Sequence, residues 1–207
     1  VQQVRPRLAD CEEGDVVVPA MQHMRWGFIP SWEQAERPKM APINAKAENV
    51  ATTGLFRNSL QKRRCLVVAD GFYEWQKLDE RTKLPFDLHL RDNRPFFFAG
   101  IYEKATATRP ATFAILTTRP NELVARIHDR MPVILEAEKA RQWVRPGAMA
   151  TDELSALTQP IAAAQMEAVP ISSLVNSPRN TGPEILTPLT RVVPLPQSPK
   201  MTQGELF

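Results

Sequence analysis

Nineteen prolines against eight glycines in 207 residues are the strongest constraint on how this chain folds. Proline fixes φ, removes an amide donor and stops helices, so many short elements with rigid connections are expected rather than long helices. At 43% hydrophobic, the chain still carries enough apolar side chains for a substantial core in one domain. No apolar run reaches the roughly 20 residues of a membrane helix, and no basic-then-apolar signal pattern is visible. Cys11 and Cys65 lie far apart, and with three scattered histidines they form neither a disulfide framework nor a metal spacing. No cofactor is expected, and a reducing cytoplasm is the expected compartment. The net charge of +3 and pI of about 9.0 are compatible with a nucleic-acid partner without requiring one.

The richest stretch runs from Arg63 to Trp75. After a basic start, Cys65-Leu66-Val67-Val68-Ala69 has the composition of a strand buried on both faces. Asp70-Gly71 then marks a turn or bulge. In the extended piece that follows, a period of two puts Phe72 and Glu74 on one face and Tyr73 and Trp75 on the other. A glutamate among rings is partly desolvated, which raises its pKa toward the range useful for proton transfer near neutral pH. Such a carboxylate is either catalytic or a cap or ion-pair partner at a sheet edge.

Upstream, Val16-Val17-Val18-Pro19 is a short strand ended by proline. In Met24 to Trp32, Trp26 is expected to line the core, while Trp32 follows Pro30-Ser31 at a loop tip where it can stack on a base. If Pro42 to Glu48 is extended, Asn44 and Lys46 share a face. An amide beside a cation suits an anionic ligand, or is simply a turn asparagine next to a solvated lysine. Glu48 to Leu60 reads as a helix. The triplet Lys62-Arg63-Arg64 after it is either solvated or in contact with phosphate.

Downstream, Pro85 to Leu90 and Arg94 to Tyr102 read as a hairpin turned at Asp92-Asn93, with His89 at the surface. Ala111 to Thr118 is another strand, and a short helix begins near Pro120. In Ile127-His128-Asp129-Arg130-Met131-Pro132, His128 is a general acid/base or an electrostatic partner for Glu74, or a turn histidine bonded to a backbone carbonyl. Helices follow at Glu136 to Val144 and Thr151 to Leu157, and a late strand at Met166 to Ile171. Ser172 to Gly182 is a polar loop whose Asn176 and Arg179 suit a backbone phosphate or a sugar. The chain ends in a proline-rich tail.

Four of these stretches, Met24 to Trp32, Ile43 to Glu48, Ala69 to Trp75 and Ile127 to Pro132, together resemble the SOS-response-associated peptidase (SRAP) family, in its motif order. The resemblance implies an α+β domain over residues 1–190, built around a mostly antiparallel, barrel-like sheet, with 191–207 as a flexible tail. It implies a monomeric sensor of abasic sites in single-stranded DNA. In such proteins an amino-terminal cysteine traps the ring-opened sugar as a thiazolidine crosslink, and the same machinery serves autoprocessing. By motif, Glu74 transfers protons, Asn44 orients the amino terminus or the sugar, and His128 stabilises the opened sugar's oxygen or acts as an acid. Lys46 and Arg130 hold phosphates, Trp32 stacks beside the missing base, and Arg25, Thr117, Asn176 and Arg179 complete the DNA contacts. The expected location is the bacterial cytoplasm, near the nucleoid, or the nucleus of a eukaryote.

The family's opening Met-Cys-Gly-Arg is not in this sequence, which starts at Val1, and Cys11 is internal. The motif is therefore expected upstream of Val1. Lys46 stands where many members carry arginine, which keeps the charge but loses the bidentate fork. Gln203-Gly204-Glu205-Leu206-Phe207 resembles the peptide by which bacterial proteins dock on the replication sliding clamp. Two other classes compete with the crosslinker: a non-covalent single-stranded-DNA module, and a thiol peptidase. The last has no cysteine in a nucleophile setting beside His128.

Overall fold

The computed structural model describes residues 20–33 and 40–189. The strand expected at Val16 to Val18, Cys11 and the tail from Thr190 lie outside the described residues. The elements run β1 (Arg25–Trp26), β2 (Asn44–Lys46), α1 (Arg57–Lys62), β3 (Arg64–Ala69), β4 (Gly71–Lys77), β5 (Lys83–Leu90), β6 (Phe96–Glu103) and β7 (Thr112–Thr118). They continue as β8 (Met131–Pro132), β9 (Ile134–Leu135), α2 (Ala137–Val144), α3 (Thr151–Leu157) and β10 (Met166–Pro170). No helix among the described residues is long and apolar enough to cross a membrane.

The fold is α+β and strand-dominated, as expected, but its seven-stranded sheet is open rather than closed into a barrel. β6 lies between β3 and β7, antiparallel to both. β1 and β2 follow one another along the outer edge of β7, both parallel to it, and the short β8 and β9 add to β7 and β6. A second sheet of three antiparallel strands runs β10-β5-β4.

Side-chain alternation builds three layers from these sheets. On one face of the large sheet Ala99, Ile101, Ala114 and Leu116 pack with Leu60, Trp143, Leu154 and Leu157 of the helices. On the other, Phe96, Phe98, Ile115 and Ile134 meet Phe86, Leu88 and Met166 of the small sheet. The fully buried Trp143 satisfies its indole N–H on the carbonyls of Cys65 and Gly100, at 3.0 and 3.2 Å. Gly100 is required there, because a Cβ would lie 2.8 Å from Cys65 Sγ.

Several local expectations are corrected. Helix α1 starts only at Arg57, because Thr52 and Thr53 bond the Asn49 carbonyl and hold residues 49–53 in turns. β5 and β6 do not form a hairpin: each pairs in a different sheet, and Asp92-Asn93 is the crossing point. Alternation reports which face of a strand is buried, not which strand it pairs with. His89 is not a surface residue; its side chain is largely buried, between Asp87 at 3.2 Å and Glu167 at 4.0 Å. β3 is an edge strand, so Val68 is 49% exposed rather than buried. Trp26 is 45% exposed and stacks on Phe113, its N–H donating to the Ile43 carbonyl. Gly27, at φ +122°, turns the chain so that Phe28 enters the core in its place.

Two residues of the basic triplet are structural. Arg63 pairs with buried Glu103 at 2.6 Å, and Ser59 donates to the same carboxylate, tying α1 to β6. Arg64 sits at 9% exposure with its guanidinium on five carbonyls: Leu60 and Gln61 of α1, Trp143 of α2, and Arg145 and Gly147 just beyond it. It thus caps the C-terminal ends of both helices. Arg64→Met should cost at least about 3 kcal/mol in urea unfolding, because those acceptors become buried and unpaired. A loss under about 1 kcal/mol would show that the cap is dispensable.

Candidate active site

β4 presents Phe72, Glu74 and Gln76 to the large sheet, and Tyr73 and Trp75 to the opposite side. Phe72 packs edge-on against Phe98, ring centroids 6.0 Å apart. Gln76 is buried, and its Nε2 donates to the Arg126 carbonyl at 2.8 Å. That bond holds the 3-10 turn Val124–Arg126 against β4, with Val124, Ile127 and Met131 anchored in the inter-sheet core. The residues between them are thereby brought alongside Glu74. His128 Nδ1 lies 3.9 Å from Glu74 Oε1, so two of the expected catalytic residues meet.

Nδ1 of His128 faces its own turn: the Arg130 backbone N–H lies 3.1 Å from it, the Arg130 carbonyl 3.2 Å and Asp129 Oδ1 3.3 Å. A donor and two acceptors meet at the same ring nitrogen, so either tautomer finds a partner there. Burial pushes the Glu74 carboxyl above the usual glutamate range; His128 and the Trp75 backbone N–H pull it down, and Asp129 pushes it up, with burial winning. A desolvated carboxyl and an imidazole therefore stand side by side.

Asn44 and Lys46 are both exposed on β2, with Ala45 between them buried in the helix-side core. Parallel pairing aligns Asn44 with Ile115 and Lys46 with Thr117, so their side chains share the sheet face that the small sheet covers. They project at the margin of that face. They also line a cavity of about 530 Å³ with Pro42, Asn49, Thr53 and Phe56. Arg130 is engaged internally: Nη1 and Nη2 each donate to one oxygen of Glu48 at 2.8 Å, and Nη2 also donates to the Thr117 carbonyl at 2.7 Å. The Arg130 hydrogen bonds are the main reason that the Glu48 carboxyl is held below its usual range.

The remaining expected contacts spread outward. Trp32 is 69% exposed at its loop tip. Arg25 is exposed on β1, aligned with Thr112, about 16 Å along β7 from Thr117. Asn176 accepts from Trp75 Nε1 at 2.7 Å, on the face of β4 opposite Glu74, and Arg179 is exposed in the same loop. Cys65 is buried, and burial pushes its thiol up to about 12, which removes it as a nucleophile. Among the described residues no group of three or more His, Cys, Asp or Glu is arranged to hold a metal ion. Gln76 and Glu48 carry the geometry without being singled out in the sequence. The period that pairs Phe72 with Glu74 extends to Gln76, whereas nothing local reveals the partner of Glu48.

The family model described as SOS response associated peptidase (SRAP) matches residues 8–178. The chain belongs to the SRAP family. A SRAP relative, the abasic site processing protein YoqW of Bacillus subtilis, is 45% identical over 166 residues, 79% of this chain and 74% of that protein. The abasic site processing protein YedK of Escherichia coli is 32% identical over 170 residues, 79% of this chain and 73% of that protein. Among solved structures, a protein from Bacteroides thetaiotaomicron superposes with a TM-score of 0.73 at 30% identity, covering 82% of this SRAP chain and 77% of its own.

The raised Glu74 carboxyl makes a stability prediction. The folded state holds this proton to higher pH than the unfolded chain, so ionisation costs stability. The cost is absent below the ordinary glutamate range, grows as pH rises, and is complete above the raised folded value. Glu74→Gln should therefore raise the melting temperature near pH 7, with the gain shrinking toward zero on acidification. A gain that is the same at every pH would contradict it.

Proposed function

We propose that this protein recognises abasic sites in single-stranded DNA and captures them covalently through an amino-terminal cysteine upstream of Val1. The observation that carries the proposal is Glu74 set 3.9 Å from His128 at the edge of a face that also bears Asn44 and Lys46. The names of the YoqW and YedK relatives support the substrate. In the closed sugar, Glu74 takes the C1′ hydroxyl proton as the C1′–O4′ bond breaks, and the His128 imidazole supplies a proton to O4′. The cysteine amine adds to the aldehyde and expels water as an imine. The thiol sulfur then adds to the imine carbon, and its proton goes to nitrogen, closing the thiazolidine. Asn44 orients the sugar or the amine, and Lys46 meets a neighbouring phosphate. Trp32 stacks beside the gap and Arg25 touches the strand; Thr117 is buried under Arg130, and the loop of Asn176 and Arg179 lies on the far face of the small sheet. Arg130 reaches a phosphate only by giving up Glu48. The same groups serve autoprocessing of the amino terminus.

With the intact amino-terminal cysteine, the protein should give a band with abasic single-stranded DNA that survives a denaturing gel. The protein starting at Val1 should give none. Glu74→Gln and His128→Ala, with the cysteine in place, should slow band formation by about 100-fold each. Equal crosslinking by the protein starting at Val1 would show the nucleophile to be wrong. Binding without any covalent band would favour a non-covalent module.

The peptide Gln203 to Phe207, outside the described residues, is the proposed docking point for a replication sliding clamp. Removing it should abolish capture on an immobilised clamp; unchanged capture would end the idea.

A further inference from the structure

Glu48 has no role in the chemistry above, yet it is the residue through which β2 grips the turn that carries His128. Both oxygens of its half-exposed carboxylate are taken by the Arg130 fork, at 2.8 Å each. The same guanidinium donates to the Thr117 carbonyl at 2.7 Å and lies 3.3 Å from Thr117 Oγ1. Arg130 is thereby fixed to two neighbouring strands, β2 through Glu48 just past its end and β7 through Thr117. Its backbone N–H and carbonyl in turn lie 3.1 and 3.2 Å from His128 Nδ1. One carboxylate thus sets the position of a side chain whose main chain holds the ring.

We infer that Glu48 is a positioning residue: its forked pair with Arg130 locks the 128–130 turn so that His128 Nδ1 is held 3.9 Å from Glu74. The inference rests on the proposed function for its kinetic consequence, but not for its structural one. A planar fork on a carboxylate fixes direction as well as distance, which a lone lysine or a water bridge does not. The pair is partly exposed, so its contribution to overall stability is small and its effect is local. Glu48 also lies close enough to Lys46 to feel its charge, so it lowers the positive potential at the site margin. Positioning and charge screening predict opposite results when the carboxylate is neutralised.

The test compares wild-type protein, carrying the amino-terminal cysteine, with Glu48→Gln and Glu48→Asp. The setting of the His128 ring is read from its nitrogen-15 NMR shifts without DNA, and single-turnover crosslinking is measured at saturating abasic single-stranded DNA. In Glu48→Gln, the His128 ring-nitrogen shifts should move, and the saturated rate should fall between about tenfold and a hundredfold. DNA binding should not weaken, because a negative charge has been removed. Glu48→Asp keeps the charge and the fork acceptor, and should restore most of both readouts. Unchanged His128 ring shifts and an unchanged saturated rate, with only tighter DNA binding, would overturn the inference in favour of charge screening alone. Moved His128 ring shifts with no crosslink in either protein would support the positioning link and count against the proposed function instead.

Discussion

The packing of the three-stranded sheet across one face of the large sheet is the constraint on which the site depends. Phe72, Phe86 and Leu88 from the small sheet and Phe96, Phe98 and Ile115 from the large one bury themselves against each other. Removing such side chains from water dominates the energetics of an interface of this kind. Once Phe72 faces the large sheet, strand geometry leaves Glu74 no choice but to face it too. It sits where the apolar contact runs out, close enough to the core to be desolvated and close enough to the edge to meet His128. Gln76, the next residue on that face, finds the Arg126 carbonyl and so brings the histidine turn to it.

Charge at this margin is arranged with an internal cost. A desolvated carboxylate is held because the surrounding strands fix it, not because the charge is favourable there. Next to it, Arg130 is neutralised by Glu48 while Lys46 remains exposed on β2. The site therefore offers an incoming anion one cation on a flexible stem and keeps the rigid fork of Arg130 for its own architecture.

How much of this was legible in the sequence depended on the range of the interaction concerned. The faces of β4 followed from a period of two, and helices α2 and α3 from their local apolar spacing. The motifs around Asn44, Glu74 and His128 pointed to the right family and to two residues that meet. Three kinds of feature were not legible. Partner choice was one: β5 and β6 alternate as hairpin strands do, yet separate into different sheets. Long-range hydrogen bonding was another: Arg63 and Arg64 look like a solvated basic run, but their acceptors include Glu103 and the Trp143 carbonyl, some 40 to 80 residues on. The third was exposure of large aromatics: Trp26 stays outside because Gly27 redirects the chain and a single carbonyl satisfies its N–H.

The measurement that bears most directly on the account is a structure of the protein with single-stranded DNA carrying a stable abasic-site analogue. The account places the analogue's C1′ position about 3 Å from the Glu74 carboxylate, with His128 Nε2 within reach of the ring oxygen and a phosphate at Lys46. An analogue seated on the opposite face of the small sheet, beside Asn176 and Arg179 and out of reach of Glu74, would contradict it.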